Sequence, residues 1–245
     1  MLDKMFNYEN PVWQFMNRVA DLLILNILFM IFSIPIITIG ASYTALSYTM
    51  LKIVRKEDTY VWRDFWTSFK SNFKQATQMW LILLPFIVVL SCDLFFWYID
   101  VTEGMGVFPK PLKVTTVIVI LIIFAVTIYA FPILSHFENT VRNTLKNAFL
   151  ISLINIPYTI YFMILMVGPV IIVLLEIRMT MAYVLVGFSL PAFLAAAGWS
   201  RIFKKLEPPK EDEDEEESEW ELPLDEEDST EDNQEIIDTT DSDSE

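Results

Sequence analysis

The stretch VTTVIVILIIFAVTIYAFPILS, residues 114–135, runs for 22 residues without a charge. A helix that crosses a bilayer needs about 20 apolar residues in a row, because no water is there to satisfy the backbone. Two further uncharged stretches satisfy that demand, residues 148–175 and 179–199. Two more carry one acid each. Residues 19–39 contain Asp21 together with Asn26, and residues 79–99 contain Asp93. A soluble domain of this size has no room for five such helices, so the pattern predicts an all-α, polytopic transmembrane bundle.

A sixth candidate, residues 41–54, has no charge before Lys52. Ala41 and Ala45 give it a small-xxx-small face that lets a neighbouring backbone come close. Pro35 and Gly40 flank a short apolar segment that can turn the chain within the membrane, provided protein or the interface covers the turn. The bundle therefore has five or six spans. Lys and Arg collect on the cytoplasmic side of membrane proteins. Five spans with the amino terminus outside divide these residues 12 inside and 5 outside; six spans with the amino terminus inside divide them 14 and 3. The second split is the better one. Both leave the carboxyl terminus cytoplasmic. A signal peptide is a poor reading of the first stretch, because Asp3 and Glu9 precede it and Asn10-Pro11 resembles a helix start.

Charge is distributed as unevenly as hydropathy. The net charge is −15, yet residues 207–245 hold 21 of the 32 acids and one of the 17 bases. Residues 1–206 thus form a mildly basic transmembrane domain, followed by an acidic tail. Dense like charge and little apolar area predict disorder for that tail. A single cysteine, Cys92, and a single histidine, His136, exclude a disulfide framework and a Cys/His zinc site. No metal site, cofactor or catalytic constellation is expected. Ser135, His136 and Glu138 are close in sequence, but side chains of adjacent helical residues diverge. Cys92 is expected to be a small buried apolar residue.

Residues 65–85 and 137–157 match at an offset of 72, with Lys70 over Arg142, Lys74 over Lys146, Ala76 over Ala148 and Pro85 over Pro157. The match suggests a repeated unit, an amphipathic cytoplasmic segment followed by a proline-bearing span. In the first copy Trp62, Phe65, Trp66, Phe69, Phe73 and Trp80 fall in one stripe at 100° per residue, with Arg63, Lys70 and Lys74 on its flank and Asp64, Thr67 and Ser71 further round. Asp58 or Thr59 can cap its start. Aromatics beside cations suit the inner headgroup layer; the alternative is a stripe packed against the bundle. Nucleic-acid binding is not expected, because positive-inside bias already explains the cations.

The intramembrane polar candidates are Asp21, Asn26, Asp93 and Asn155. Acids near span ends are solvated at little cost, and amides commonly hydrogen-bond between helices. A break or tilt is expected at Gly168-Pro169 in the long fourth stretch.

The runs Asn10-Pro11-Val12-Trp13, Ser33-Ile34-Pro35-Ile36-Ile37-Thr38-Ile39-Gly40-Ala41 and Arg63-Asp64-Phe65-Trp66-Thr67-Ser68-Phe69-Lys70 resemble the YesL-like family of bacterial integral membrane proteins, over roughly residues 5–206. The resemblance implies a multi-pass protein of a bacterial cell membrane, associated with carbohydrate uptake or envelope systems, with no established activity and no catalytic residues. The expected partners are the bilayer and a membrane transport or sensor complex. Non-enzymatic accessory or scaffold work is one expectation. A small permease or channel between the repeated hairpins is the other.

Overall fold

The computed structural model describes residues 11–98 and 109–207. Residues 1–10 and 99–108 and nearly all of the acidic tail lie outside the described residues. The chain divides into two units, Met1–Lys204 and Lys205–Glu245. Among the described residues the first unit is built of eight α-helices: α1 (Pro11–Ser33), α2 (Ile39–Val54), α3 (Val61–Tyr98), α4 (Pro109–His136), α5 (Val141–Ile154), α6 (Ile156–Leu175), α7 (Thr180–Val186) and α8 (Ser189–Lys204). Short 3₁₀ turns at Ile36–Thr38 and Ile177–Met179 lead into α2 and α7.

Among the described residues four helices are long and apolar enough to cross a membrane: Trp13–Ser33, Val61–Phe96, Pro111–His136 and Ile156–Leu175. A fifth results if the pair Ile177–Val186 and Ser189–Lys204, bent by 55°, is one span. Their outward faces are apolar, as a lipid-facing surface requires; Ile118, Leu121, Ile164 and Leu174 are all exposed.

The sixth candidate is not among these. Its segment folds as α2, 16 residues and about 24 Å long, and it sits at the centre of the bundle rather than against lipid. Gly40, Ala41, Ser42, Thr44, Ala45, Leu46 and further residues along its length are buried. Its hydroxyls need no outside partner: Thr44 donates to the Gly40 carbonyl at 2.9 Å, Ser47 to Tyr43 at 2.8 Å and Thr49 to Ala45 at 3.0 Å. Small residues let three helices close on it. At Gly40 the approach is so tight that a Cβ would lie 2.7 Å from Trp80 Cβ and 2.8 Å from the Ala76 carbonyl.

The turn before α2 explains the Ser-Ile-Pro-Ile-Ile-Thr-Ile-Gly-Ala run. Pro35 has no N–H and ends α1. The Thr38 hydroxyl donates between the carbonyls of Phe32 (2.6 Å) and Pro35 (2.7 Å). The Trp80 indole N–H then donates to the Ile36 carbonyl at 2.7 Å. One indole bond thus ties the turn to α3, while Ile34, Ile36 and Ile37 stay exposed on its outer side.

The pairings fix the sense of α1. Asn26 lies at the α7–α8 junction. Six residues later Phe32 packs on Phe65, Trp66 and Phe69, in the first third of α3. That third of α3 faces the His136 end of α4 across a shared cavity, and α8 ends beside it, with Phe203 stacked on His136. Helices α1 and α8 therefore run the same way, and the start of α1 and the end of α8 are at opposite ends of the bundle. Of the two readings of residues 41–54, the structure shows a short helix buried beside α1, α3, α4 and α8.

Three other expectations are corrected. The aromatic segment and the second span are one uninterrupted helix, α3, 38 residues and about 57 Å long, which passes through Pro85. Its matching proline, Pro157, instead stands in the first turn of α6, after a break at Asn155. A proline in the first helical turn costs little because its N–H would be unpaired there anyway. The fourth stretch is consequently interrupted at Asn155 and continues through Gly168-Pro169, where the break was expected. Finally, Cys92 is exposed on the apolar half of α3 rather than buried.

Candidate functional site

Two places gather polar groups, one at the α7–α8 junction and one at the end of the bundle where α4 turns into α5.

At the junction, the bend frees backbone groups that a straight helix would pair. Asn26, fully buried on α1, answers three of them. Its Oδ1 accepts from the N–H groups of Phe188 and Ser189, both at 3.0 Å, and its Nδ2 donates to the Val184 carbonyl at 2.7 Å. Phe29, one turn on, packs its ring against Phe188 at 5.0 Å. One amide thus bridges the end of α7 and the start of α8.

The other intramembrane candidates are spread apart. Asp93 accepts a 2.6 Å bond from the Thr116 hydroxyl, joining α3 to α4. Asn155 ends α5 and donates to Ile151 of its own helix at 3.1 Å. Thr159 staples that break, donating to Ser152 (2.8 Å) or Asn155 (3.0 Å) and meeting the Tyr129 hydroxyl of α4 at 3.2 Å. Asp21 is half-buried, 4.0 Å from Arg18. The structure does not bring these four together, and each has a local partner.

The aromatic stripe divides. Phe65 and Phe69 are buried and Trp66 is half-buried, all three against Phe32. Trp62 and Phe73 face outward, 60% and 40% exposed. Lys70 lies over the Trp66 ring at 4.7 Å and Arg63 over Tyr60 at 4.5 Å. Packing and an outward aromatic-cation face thus share one helix. Its start is capped neither by Asp58 nor by Thr59: Asp64 reaches back to the Tyr60 N–H at 2.9 Å and also pairs with Lys52 of α2 at 3.1 Å. Both charges are largely buried.

On the other side of α3 is a cavity of about 600 Å³. One wall is the α3 face Thr67, Ser68, Ser71, Asn72 and Gln75; Ser135, His136, Glu138 and Asn139 from the α4–α5 corner stand opposite, and Tyr48 of α2 contributes as well. On the α3 wall, Ser71 donates to the Ser68 carbonyl at 3.2 Å. The Asn72 amide donates to that carbonyl at 3.1 Å and to the Ser68 hydroxyl at 3.3 Å. The sequence separated His136 and Glu138 from Thr67 and Ser71; folding puts them on one cavity. A polar face at positions 67, 68, 71, 72 and 75 was the available signal. Among the described residues no group of three or more His, Cys, Asp or Glu is placed to hold a metal.

These features define an all-helical chain, among the described residues, with four to five candidate membrane-spanning helices. Residues 22–94 match the family model DUF624, described as a protein of unknown function, the family to which YesL-like proteins belong. The matched segment contains Asn26, the Pro35 turn, all of α2 and the Lys52–Asp64 pair. No curated protein matches the chain, and no solved structure does.

Proposed function

We propose that this is a YesL-like multi-pass protein of a bacterial cell membrane that acts as a non-enzymatic accessory or scaffold, associated with a carbohydrate-uptake or envelope system. The observation that supports it is the use made of Asn26. A carrier needs polar groups at membrane depth with bonding capacity left for a substrate. Here the most deeply placed amide commits its Oδ1 and Nδ2 to the backbone of α7 and α8, and Asp93 holds Thr116. The association with uptake systems comes from the family resemblance.

The sense of α1 supports five crossings, with the start of α1 outside and the end of α8 in the cytoplasm. The Lys and Arg residues of α2, α3, α5 and α8 then lie on the inner side, in keeping with positive-inside bias. The cavity between α3 and the α4–α5 corner opens on that side too.

A small permease is the second reading, and the 55° bend between α7 and α8 is what favours it, because discontinuous helices line transport paths. One pair of measurements separates the readings. Purification of the full chain from native membranes should retain a transport or sensor complex. Vesicles containing only this chain should show no flux of neutral sugars. Flux from the isolated chain, abolished by Asn26→Leu in a protein that still inserts, would replace the scaffold by a permease.

A further inference from the structure

The cavity beside α3 is not accounted for by a scaffold. It is a groove open to solvent, with Thr67, Ser71 and Gln75 exposed on its α3 wall, and its volume of about 600 Å³ falls within the range of small-molecule sites. Its composition is unlike the rest of a chain that is 54% apolar. Positions 67, 68, 71, 72 and 75 lie on one side of α3, and every one bears an uncharged hydroxyl or amide. An apolar face there would simply close on the α4–α5 corner, as Phe65 and Phe69 close on Phe32. Instead the two walls stand apart and polar groups look into the gap.

The lining also narrows the ligand. Lys70 and Lys74 are on the same helix but do not line the cavity, and among the described residues no Lys or Arg does. Phosphate or carboxylate recognition relies on such cations. Among the described residues Glu138 and His136 are the only ionisable groups besides Tyr48 on the walls, too few to hold a polyamine or metal. Hydroxyls and amides that both give and accept bonds match a ligand whose own groups do both. We propose that the cavity between the α3 face Thr67–Gln75 and the α4–α5 corner binds an uncharged polyhydroxylated small molecule about as large as a monosaccharide or cyclic polyol.

Internal bonds from Asn72 and Ser71 to Ser68 hold the α3 wall in place before any ligand arrives, which lowers the entropy cost of binding. The inference is independent of the scaffold reading, since a ligand can be bound whether or not a partner is recruited.

The test is calorimetric titration of the full chain in lipid nanodiscs with D-glucose, myo-inositol and sorbitol, beside glucose 6-phosphate and spermidine. At least one neutral polyol should bind saturably. Gln75→Ala and Ser71→Ala should each weaken it about tenfold, the loss of one hydrogen bond or slightly more. Lys74→Ala, off the wall, should leave it unchanged. Thermal melting of each variant establishes that it is folded. Three results would overturn the proposal: no saturable binding of any neutral polyol to folded protein, binding only of the phosphate or the polyamine, or polyol binding indifferent to both wall variants.

Discussion

The side chain of Asn26 accepts a hydrogen bond from the Ser189 backbone N–H at 3.0 Å across 163 residues of sequence. Together with its bonds to Phe188 and Val184, this contact of a fully buried side chain stabilises the bend between α7 and α8. Asn26→Leu leaves two N–H groups and a carbonyl buried without partners. The expected cost is about 2–3 kcal/mol, given that each unsatisfied group costs about 1–3 kcal/mol and some relaxation follows. Thermal unfolding in detergent should shift down by several degrees. A variant as stable as the parent would show that the junction finds other partners.

Gly40 has the tightest surroundings of the α2–α3 contact, with Trp80 Cβ and the Ala76 carbonyl each under 3 Å from where a Cβ would stand. The second of these is backbone and cannot swing away. Gly40→Ala should cost about 1–3 kcal/mol through forced separation of the helices, despite the better helix propensity of alanine. Gly168→Ala is the control, because nothing lies within 4 Å of its added methyl. It should be neutral or slightly stabilising in the same unfolding assay.

Lys52 and Asp64 form a pair buried where α2 meets α3. Removing one partner strands the other charge, and such losses run to about 3–5 kcal/mol. Lys52→Met and Asp64→Leu should each destabilise strongly, with Asp64→Leu the worse because it also releases the Tyr60 N–H. The double variant should recover part of the loss. Additive effects in a double-mutant cycle would mean the ions do not interact in the membrane-bound protein.

Lys56 closes α2 with φ 58°, in the left-handed region. Glycine commonly occupies that position after a helix because it has no Cβ to clash. Lys56→Gly should therefore raise stability by about 0.5–1 kcal/mol, readable as a higher melting temperature.

The parallel sense of α1 and α8 puts the start of α1 and the end of α8 at opposite ends of the bundle, which predicts opposite faces of the membrane for them. Reporters fused at either end should be active in opposite compartments, the carboxyl-terminal one inside. Activity of both on the same side would contradict the pairing of Phe32 with Phe65 and Phe69 and restore an even number of crossings.

Much of this fold is legible in the sequence, because apolar length is a strong signal in a membrane. The stretch 114–135 falls within α4, and the stretch 79–99 lies in α3 up to Tyr98, where the described residues end. What composition cannot give is which partner a segment meets. Residues 41–54 are apolar enough for a hairpin arm, yet their alanines and hydroxyls, with Gly40 just before them, serve a buried central helix. Counting cations favoured an even number of spans, since moving Lys4 and Arg18 inside improves the split; it carries no information on the sense of α1, which the Phe32 and Asn26 contacts give. The two prolines of the repeat show the same limit. Pro85 is absorbed within α3 and Pro157 stands at a helix start, and the difference rests on Asn155 and Thr159, whose bonds form only in the folded chain. The role of Asn26 as an interhelical bond was accessible as a class of interaction; its partners, the loose ends of a broken helix, were not. The cavity was the least accessible feature, because its two walls are some 60 residues apart in sequence.

The unbroken passage of α3 through Pro85 has a mechanical consequence. Trp80 is tied to the Ile36 turn near the middle of the helix, and Asp64, Phe65 and Phe69 fix its first third to α2 and to Phe32. One helix thus joins the apolar half beyond Pro85 to the wall that carries Ser71 and Asn72.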